Sequence, residues 1–136
     1  MKTLVVTAAL IVKEGKILVA QRVKGDDWDF HWEFPGGKLE EDEGPEKCII
    51  RELREELNVG IEIEGIQQAV FKRYERFNIL LLAYKCRIKE GTPEAIGCKE
   101  IKWVEEDELR HLLMPPADEE IRENILQKGL WDLDVA

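Results

Sequence analysis

Gly37-Lys38-Leu39-Glu40-Glu41-Asp42-Glu43 leads through Gly44 to Ile50 into Arg51-Glu52-Leu53-Arg54-Glu55-Glu56-Leu57-Asn58-Val59, and this stretch decides the fold. Pro45 suits the first turn of a helix, where its missing N–H costs nothing, and the spacing predicts a helix over 45–58. At about 100° per residue, Ile49, Ile50, Leu53 and Leu57 gather on one side. Glu52, Glu55 and Glu56, at i, i+3 and i+4, gather on another. The apolar side can pack on a sheet, and the acidic side then projects several carboxylates into one small volume. Like charges so close repel unless they are protonated, solvated or bound to cations. One reading is a solvated acidic face. The other is a hard-cation site whose oxygen ligands suit Mg²⁺ or Mn²⁺ and not zinc. The Gly36-Gly37 pair ahead of the helix favours the second, because glycine lets backbone groups approach a metal or phosphate closely.

Working outward, 3–12 and 17–20 are β-branched apolar runs joined by a Glu14-Gly15 turn, the pattern of a β-hairpin. Met1-Lys2 gives the first run a faint likeness to a secretion signal, but no small-x-small cleavage site follows. Residues 25–29 read as a polar loop, 30–34 as a short aromatic strand, and Pro35-Gly36-Gly37 as its break. Further strands are expected at 61–66, 68–74, 79–88 and 101–104, and helices at 106–113 and 118–127. Strands mixed with a few helices indicate an α/β or α+β sandwich. The longest later apolar run, 79–84, is far short of a membrane span.

At 136 residues the chain has the size of one compact domain, expected to span 1–136. Its 44% hydrophobic and 36% charged residues suit a globule and argue against disorder or a membrane protein. Twenty basic against 29 acidic side chains leave a charge of −9, which repels a nucleic acid polymer but admits a small anion screened by a divalent cation. There is no serine, so serine-nucleophile chemistry is excluded. Cys48, Cys86 and Cys98 form no CxxC pair, and His31 and His111 stand alone, so reduced thiols in a cytoplasmic protein are expected.

The quoted stretch resembles the signature of the Nudix hydrolases, Gly-x5-Glu-x7-Arg-Glu-U-x-Glu-Glu-x-Gly-U, where U is bulky and aliphatic. Gly37, Glu43, Arg51, Glu52, Leu53, Glu55, Glu56 and Val59 match it over 37–59. Asn58 stands where the family has glycine, and asparagine is the next residue most tolerant of a left-handed helix C-cap. Trp32-Glu33-Phe34-Pro35-Gly36-Gly37, Gln21-Arg22 and Pro115-Pro116-Ala117-Asp118 extend the likeness to the MutT-like branch. The resemblance implies an α/β/α sandwich around a mixed β-sheet with a loop–helix–loop catalytic motif. It also implies Mg²⁺-dependent hydrolysis of a (deoxy)nucleoside triphosphate to the monophosphate and pyrophosphate.

Carried onto these residues, Glu55 and Glu56 would be the main metal ligands, with the Gly36 carbonyl, and Glu52 a ligand or the general base. Arg51 and Glu43 would form an orienting ion pair, and Gly37 would serve the loop. Arg22, Glu33, Phe34, Pro35 and Asp118 would meet the substrate; otherwise Arg22 is a charged strand end and Asp118 a helix N-cap. Some relatives carry a late-loop carboxylate where this chain has Gly97, with Glu100 nearest. Trp28, Trp32 and Phe77 are candidates for stacking on a base or for the core. A monomer or homodimer is expected, with exposed sheet edges and Leu130-Trp131 as possible contacts. The alternatives are hydrolysis of ADP-ribose or dinucleoside polyphosphates, or a Nudix-fold module that binds a nucleotide without turnover.

Overall fold

The run Thr7–Val12 explains the architecture. Ala8, Leu10 and Val12 belong to one hydrophobic core, while Ala9 and Ile11 belong to another. A strand buried on both faces reads as a continuous apolar run, because each alternate side chain meets its own layer. The computed structural model describes residues 1–23 and 28–133. Residues 25–27 of the expected polar loop therefore lie outside the described residues.

Strand β1 (Thr3–Lys13) turns at Glu14 and Gly15 into β2 (Lys16–Gln21). Both turn residues have positive φ, 53° and 77°, as a two-residue hairpin of matching twist requires. Short β3 (Trp32–Glu33) pairs with β2, and β4 (Gly36–Lys38) pairs antiparallel with β1. The helix α1 (Pro45–Leu57) leads to β5 (Gly60–Arg73), β6 (Asn78–Glu90) and β7 (Glu100–Val104). Then come α2 (Glu106–His111), α3 (Pro116–Lys128) and a 3₁₀ turn (Leu130–Leu133). The sheet runs β3-β2-β1-β6-β5, with β1 and β6 parallel and the other pairs antiparallel. β4 also joins β1, and β7 also joins β2.

One face packs on α1 through Ile49, Leu53 and Leu57, and the other on α2, α3 and the 3₁₀ turn through Leu109, Ile121, Ile125 and Leu130. This is the α/β sandwich around a mixed sheet that the sequence indicates. Several details differ from the sequence reading. Ile50 is 44% exposed, and the fully buried Cys48 takes its place on the packed side of α1. The runs expected at 61–66 and 68–74 form the single strand β5, irregular between Ile63 and Gly65 and again between Ile66 and Gln68. Gly36 and Gly37 do not break the chain but form β4, since hydrogen bonds to β1 override weak glycine propensity. Leu130 lies in the core and only Trp131 is exposed, so that pair offers half the contact surface expected of it.

Candidate active site

The helix α1 begins at Pro45 and ends on Asn58, whose φ of 55° and ψ of 43° form a left-handed cap; its N–H donates to Arg54 O and Leu53 O. Asparagine thus meets the backbone demand for which glycine is the usual solution. Beyond the cap, Glu94 N–H donates to Leu57 O, while Ile96 and Gly97 N–H both donate to Glu56 O, so residues 94–97 satisfy the last carbonyls of the helix.

Arg51 gathers the carboxylates. Its Nε and Nη2 meet Glu43 as a fork, at 2.7 and 2.9 Å, and its Nη1 donates to Glu52 at 3.0 Å and Glu55 at 3.1 Å. The fork holds the Glu43 carboxyl far below the ordinary range, down to about 2, assisted by the Glu40 backbone. The same bonds, Glu43 first, raise the Arg51 guanidinium above its ordinary value.

Glu52 and Glu56 do not lie on a face opposite the apolar one. They fall within the arc spanned by buried Cys48 and Ile49, and two glycines make room for them. A Cβ on Gly37 would meet the Glu52 carboxylate oxygens at 2.5 and 2.6 Å. A Cβ on Gly97 would press on Cα, Cγ and Cβ of Glu56 at 3.1–3.5 Å. The residue at 97 therefore holds the helix end closely, and Glu100 sits at the exposed start of β7 opposite Gln21. The same loop carries Cys98, packed against the apolar cluster of α1, to which sequence reasoning gave no part in the site. Burial, with the Glu56 and Glu33 charges nearby, pushes its thiol up to about 11.

The β4 ladder fixes the loop carbonyls. Ala9 N–H donates to Pro35 O at 2.7 Å and Leu39 N–H to Val5 O at 3.1 Å, so the carbonyls of 35 and, by alternation, 37 face β1. The carbonyls of 36 and 38 face the other way. Lys38 O accepts Arg51 Nη2 at 3.4 Å, and by the same alternation Gly36 O faces away from β1 too. Gly37 O instead accepts from Thr7 Oγ1 at 3.0 Å.

Among the described residues, no three His, Cys, Asp or Glu side chains already converge as a metal cage. Arg51 supplies the positive charge between Glu52 and Glu55 in this arrangement. The donor set remains the one a hard divalent cation needs: several carboxylate oxygens beside an outward-facing backbone carbonyl.

Across β4 lies a cleft of about 230 Å³ that reaches from Gly36 and Gly37 to α3. Its walls are aromatic, with Phe34, Trp28, and Tyr74 stacked on Phe77 at 5.6 Å. Tyr74 Oη accepts Ala117 N–H at 3.3 Å, tying the wall to the first turn of α3. Arg22 pairs with Glu33 at 2.9 Å, both largely buried. Asp118 Oδ1 accepts Phe34 N–H at 3.2 Å. Burial, then the neighbouring Glu33 charge, raises the Asp118 carboxyl well above the carboxylate range. Asp118 is not the N-cap it resembles in sequence; Pro115 holds that place and Asp118 stands in the first turn. Pro35 does not line the cleft, and Trp32 is buried in the core. Arg22, Glu33, Phe34, Asp118, Trp28 and Phe77 do line it.

An acidic helix joined by a glycine strand to an aromatic cleft defines a class of enzymes that act on anionic, base-bearing substrates. The chain is a member of the Nudix family of hydrolases: residues 1–128 match the NUDIX domain. It is 38% identical to the CTP pyrophosphohydrolase of Escherichia coli over 122 residues, 87% of each chain. It is 33% identical to the 8-oxo-dGTP diphosphatase of Haemophilus influenzae over 93% of this chain and 94% of that one. The solution structure of the E. coli ORF135 protein superposes with a TM-score of 0.81 at 32% identity, covering 93% of this chain and 91% of the other. Among the described residues no helix is long and apolar enough to cross a membrane.

Proposed function

We propose that the protein is a Mg²⁺-dependent pyrophosphohydrolase of (deoxy)nucleoside triphosphates, releasing the monophosphate and pyrophosphate, with a cytosine or 8-oxo-guanine base preferred. The observation that carries this reading is the continuity from the α1 carboxylates, across Gly36 and Gly37, into a cleft that ends on Asp118. The two relatives above, named for CTP and 8-oxo-dGTP, support the substrate class.

Glu52, Glu55, Glu56 and the Gly36 carbonyl would hold Mg²⁺, with Mn²⁺ as a substitute. The bound ion would screen the substrate's negative charge and acidify the attacking water. Glu52, tucked against Gly37, would take a proton from that water or serve as a ligand. Arg51 keeps Glu52 and Glu55 oriented while Glu43 anchors Arg51. Arg22, which lines the cleft, would meet phosphate, its Glu33 partner limiting its swing. Phe34 and Phe77 would enclose the base.

Asp118 sets the polarity of that enclosure. With Oδ1 already accepting Phe34 N–H, the neutral carboxyl offers one O–H donor to a base carbonyl. Once ionised it only accepts, and then favours an exocyclic amine such as cytosine N4. Three free cysteines, two of them buried, suit a cytoplasmic protein acting on the nucleotide pool as monomer or homodimer.

Pyrophosphate release from CTP, dCTP, 5-methyl-dCTP, 8-oxo-dGTP, dATP, ADP-ribose and diadenosine tetraphosphate with Mg²⁺ tests the reading. Preference for cytosine or 8-oxo-guanine triphosphates, abolished by EDTA, is the expected result. Turnover of ADP-ribose or the dinucleotide alone would overturn the substrate, and silence across the panel would leave a nucleotide-binding module.

A further inference from the structure

A second cleft, of about 600 Å³, opens at the other end of β1, between the β1–β2 turn and the end of β6. From Val6 in the first cleft to Val12 in this one is six strand residues, or about 20 Å. One ligand in the catalytic groove would therefore leave this cleft free for a separate molecule.

Its charge is opposite to that of the chain. Arg87 on its rim is neutralised by Glu62 and Glu64, and Glu90 by Arg54 at 2.8 Å. Lys13, Lys16 and Lys89 also line it, and none of the three has an ion pair or side-chain hydrogen bond among the described residues. Against them stands Glu14 alone. Three unpaired ammonium groups against one carboxylate around one hollow, on a molecule of charge −9, concentrate multivalent anions there. The floor is apolar, with Ile11, Ile88 and the half-buried Trp103 indole. An indole and three ammonium groups lining one cleft suit a ligand that is polyanionic at one end and aromatic at the other.

We propose that this cleft is a second, non-catalytic site for a nucleoside polyphosphate, with its phosphates between Lys13, Lys16 and Lys89 and its base on Trp103. The site does not depend on the catalytic reading, and the binding titration that tests it needs no turnover. The full chain in EDTA is titrated with ATP, inorganic triphosphate and adenosine while amide and indole N–H resonances are followed by NMR. ATP is expected to shift the amides of 13–16 and 88–92 and the Trp103 indole N–H saturably, more weakly as salt rises. Inorganic triphosphate should shift the amides only and bind less tightly, and adenosine should shift neither set.

The triple variant Lys13→Ala, Lys16→Ala, Lys89→Ala should bind ATP there about tenfold more weakly while releasing pyrophosphate from the best panel substrate at the wild-type rate. Unmoved resonances at millimolar ATP, or wild-type affinity in the triple variant, would overturn the site. Triphosphate binding as tightly as ATP would refute a nucleotide ligand, and lost turnover in the triple variant would refute a separate site.

Discussion

Glu43, in the Arg51 network beside α1, and Asp118, in the cleft at α3, are driven in opposite directions by their surroundings. At the α1 end, the Arg51 fork keeps Glu43 charged down to about pH 2. At the α3 end, burial and the Glu33 charge favour the neutral form of Asp118. The α1 network is built to hold charge and the α3 end of the cleft to shed it. On the proposed reading, a substrate's polyphosphate tail would lie towards α1 and its uncharged base towards Asp118.

The glycines of β4 put this contrast at its sharpest. A Cβ on Gly37 would collide with the end of the flexible Glu52 side chain, whereas one on Gly36 would collide with the Thr7 backbone. Gly37→Ala is therefore expected to fold and lose about 10²-fold in kcat by displacing Glu52, while Gly36→Ala should be destabilised or insoluble. Thermal melts beside steady-state pyrophosphate assays separate the two, and equal melting losses would break the distinction.

At the other end, Asp118→Ala should cost roughly tenfold to a hundredfold in kcat/KM, the range for one lost buried hydrogen bond, and flatten preference across the base panel. Asp118→Asn probes the shed charge. Because the folded state raises this carboxyl's affinity for its proton, wild type loses stability as pH rises through and above 3.8. The asparagine variant should therefore be the more stable at pH 7, by a margin that shrinks towards pH 4 in urea melts.

Glu43→Gln should show the mirror image. Its lowered value means stability that is complete above 4.5 and lost as pH falls towards 2. The variant should melt below wild type at pH 7 and converge with it in strong acid. The smallest effect is expected at the helix end: Asn58→Gly should change stability by only a few tenths of a kcal/mol, because both residues accept the left-handed cap, while Asn58→Ala costs about 1 kcal/mol.

The α1 segment was legible because helical spacing and the family signature point the same way there. Ile50 was misplaced because angular spacing alone does not show that Glu52 and Glu56 can share the packed arc. The two glycines that admit them come from β4 and from residue 97, distant in sequence. β4 was missed because a glycine pair signals a break until a partner strand supplies its hydrogen bonds. Asp118 looked like an N-cap because an aspartate ahead of Glu119-Glu120-Ile121 has that local pattern. Its burial depends on Phe34 and Glu33, 84 and 85 positions away, which no local window contains. The half-buried Cys98 thiol left no signal at all in spacing.

The most direct test of the catalytic assignment is pyrophosphate release by Glu52→Gln under saturating Mg²⁺ and the best panel substrate, beside its melting temperature. The expected result is a loss of at least ~10²-fold in kcat with little change in stability. Turnover at the wild-type rate would contradict the role given to Glu52 and, with it, the placement of the reaction on the α1 carboxylates.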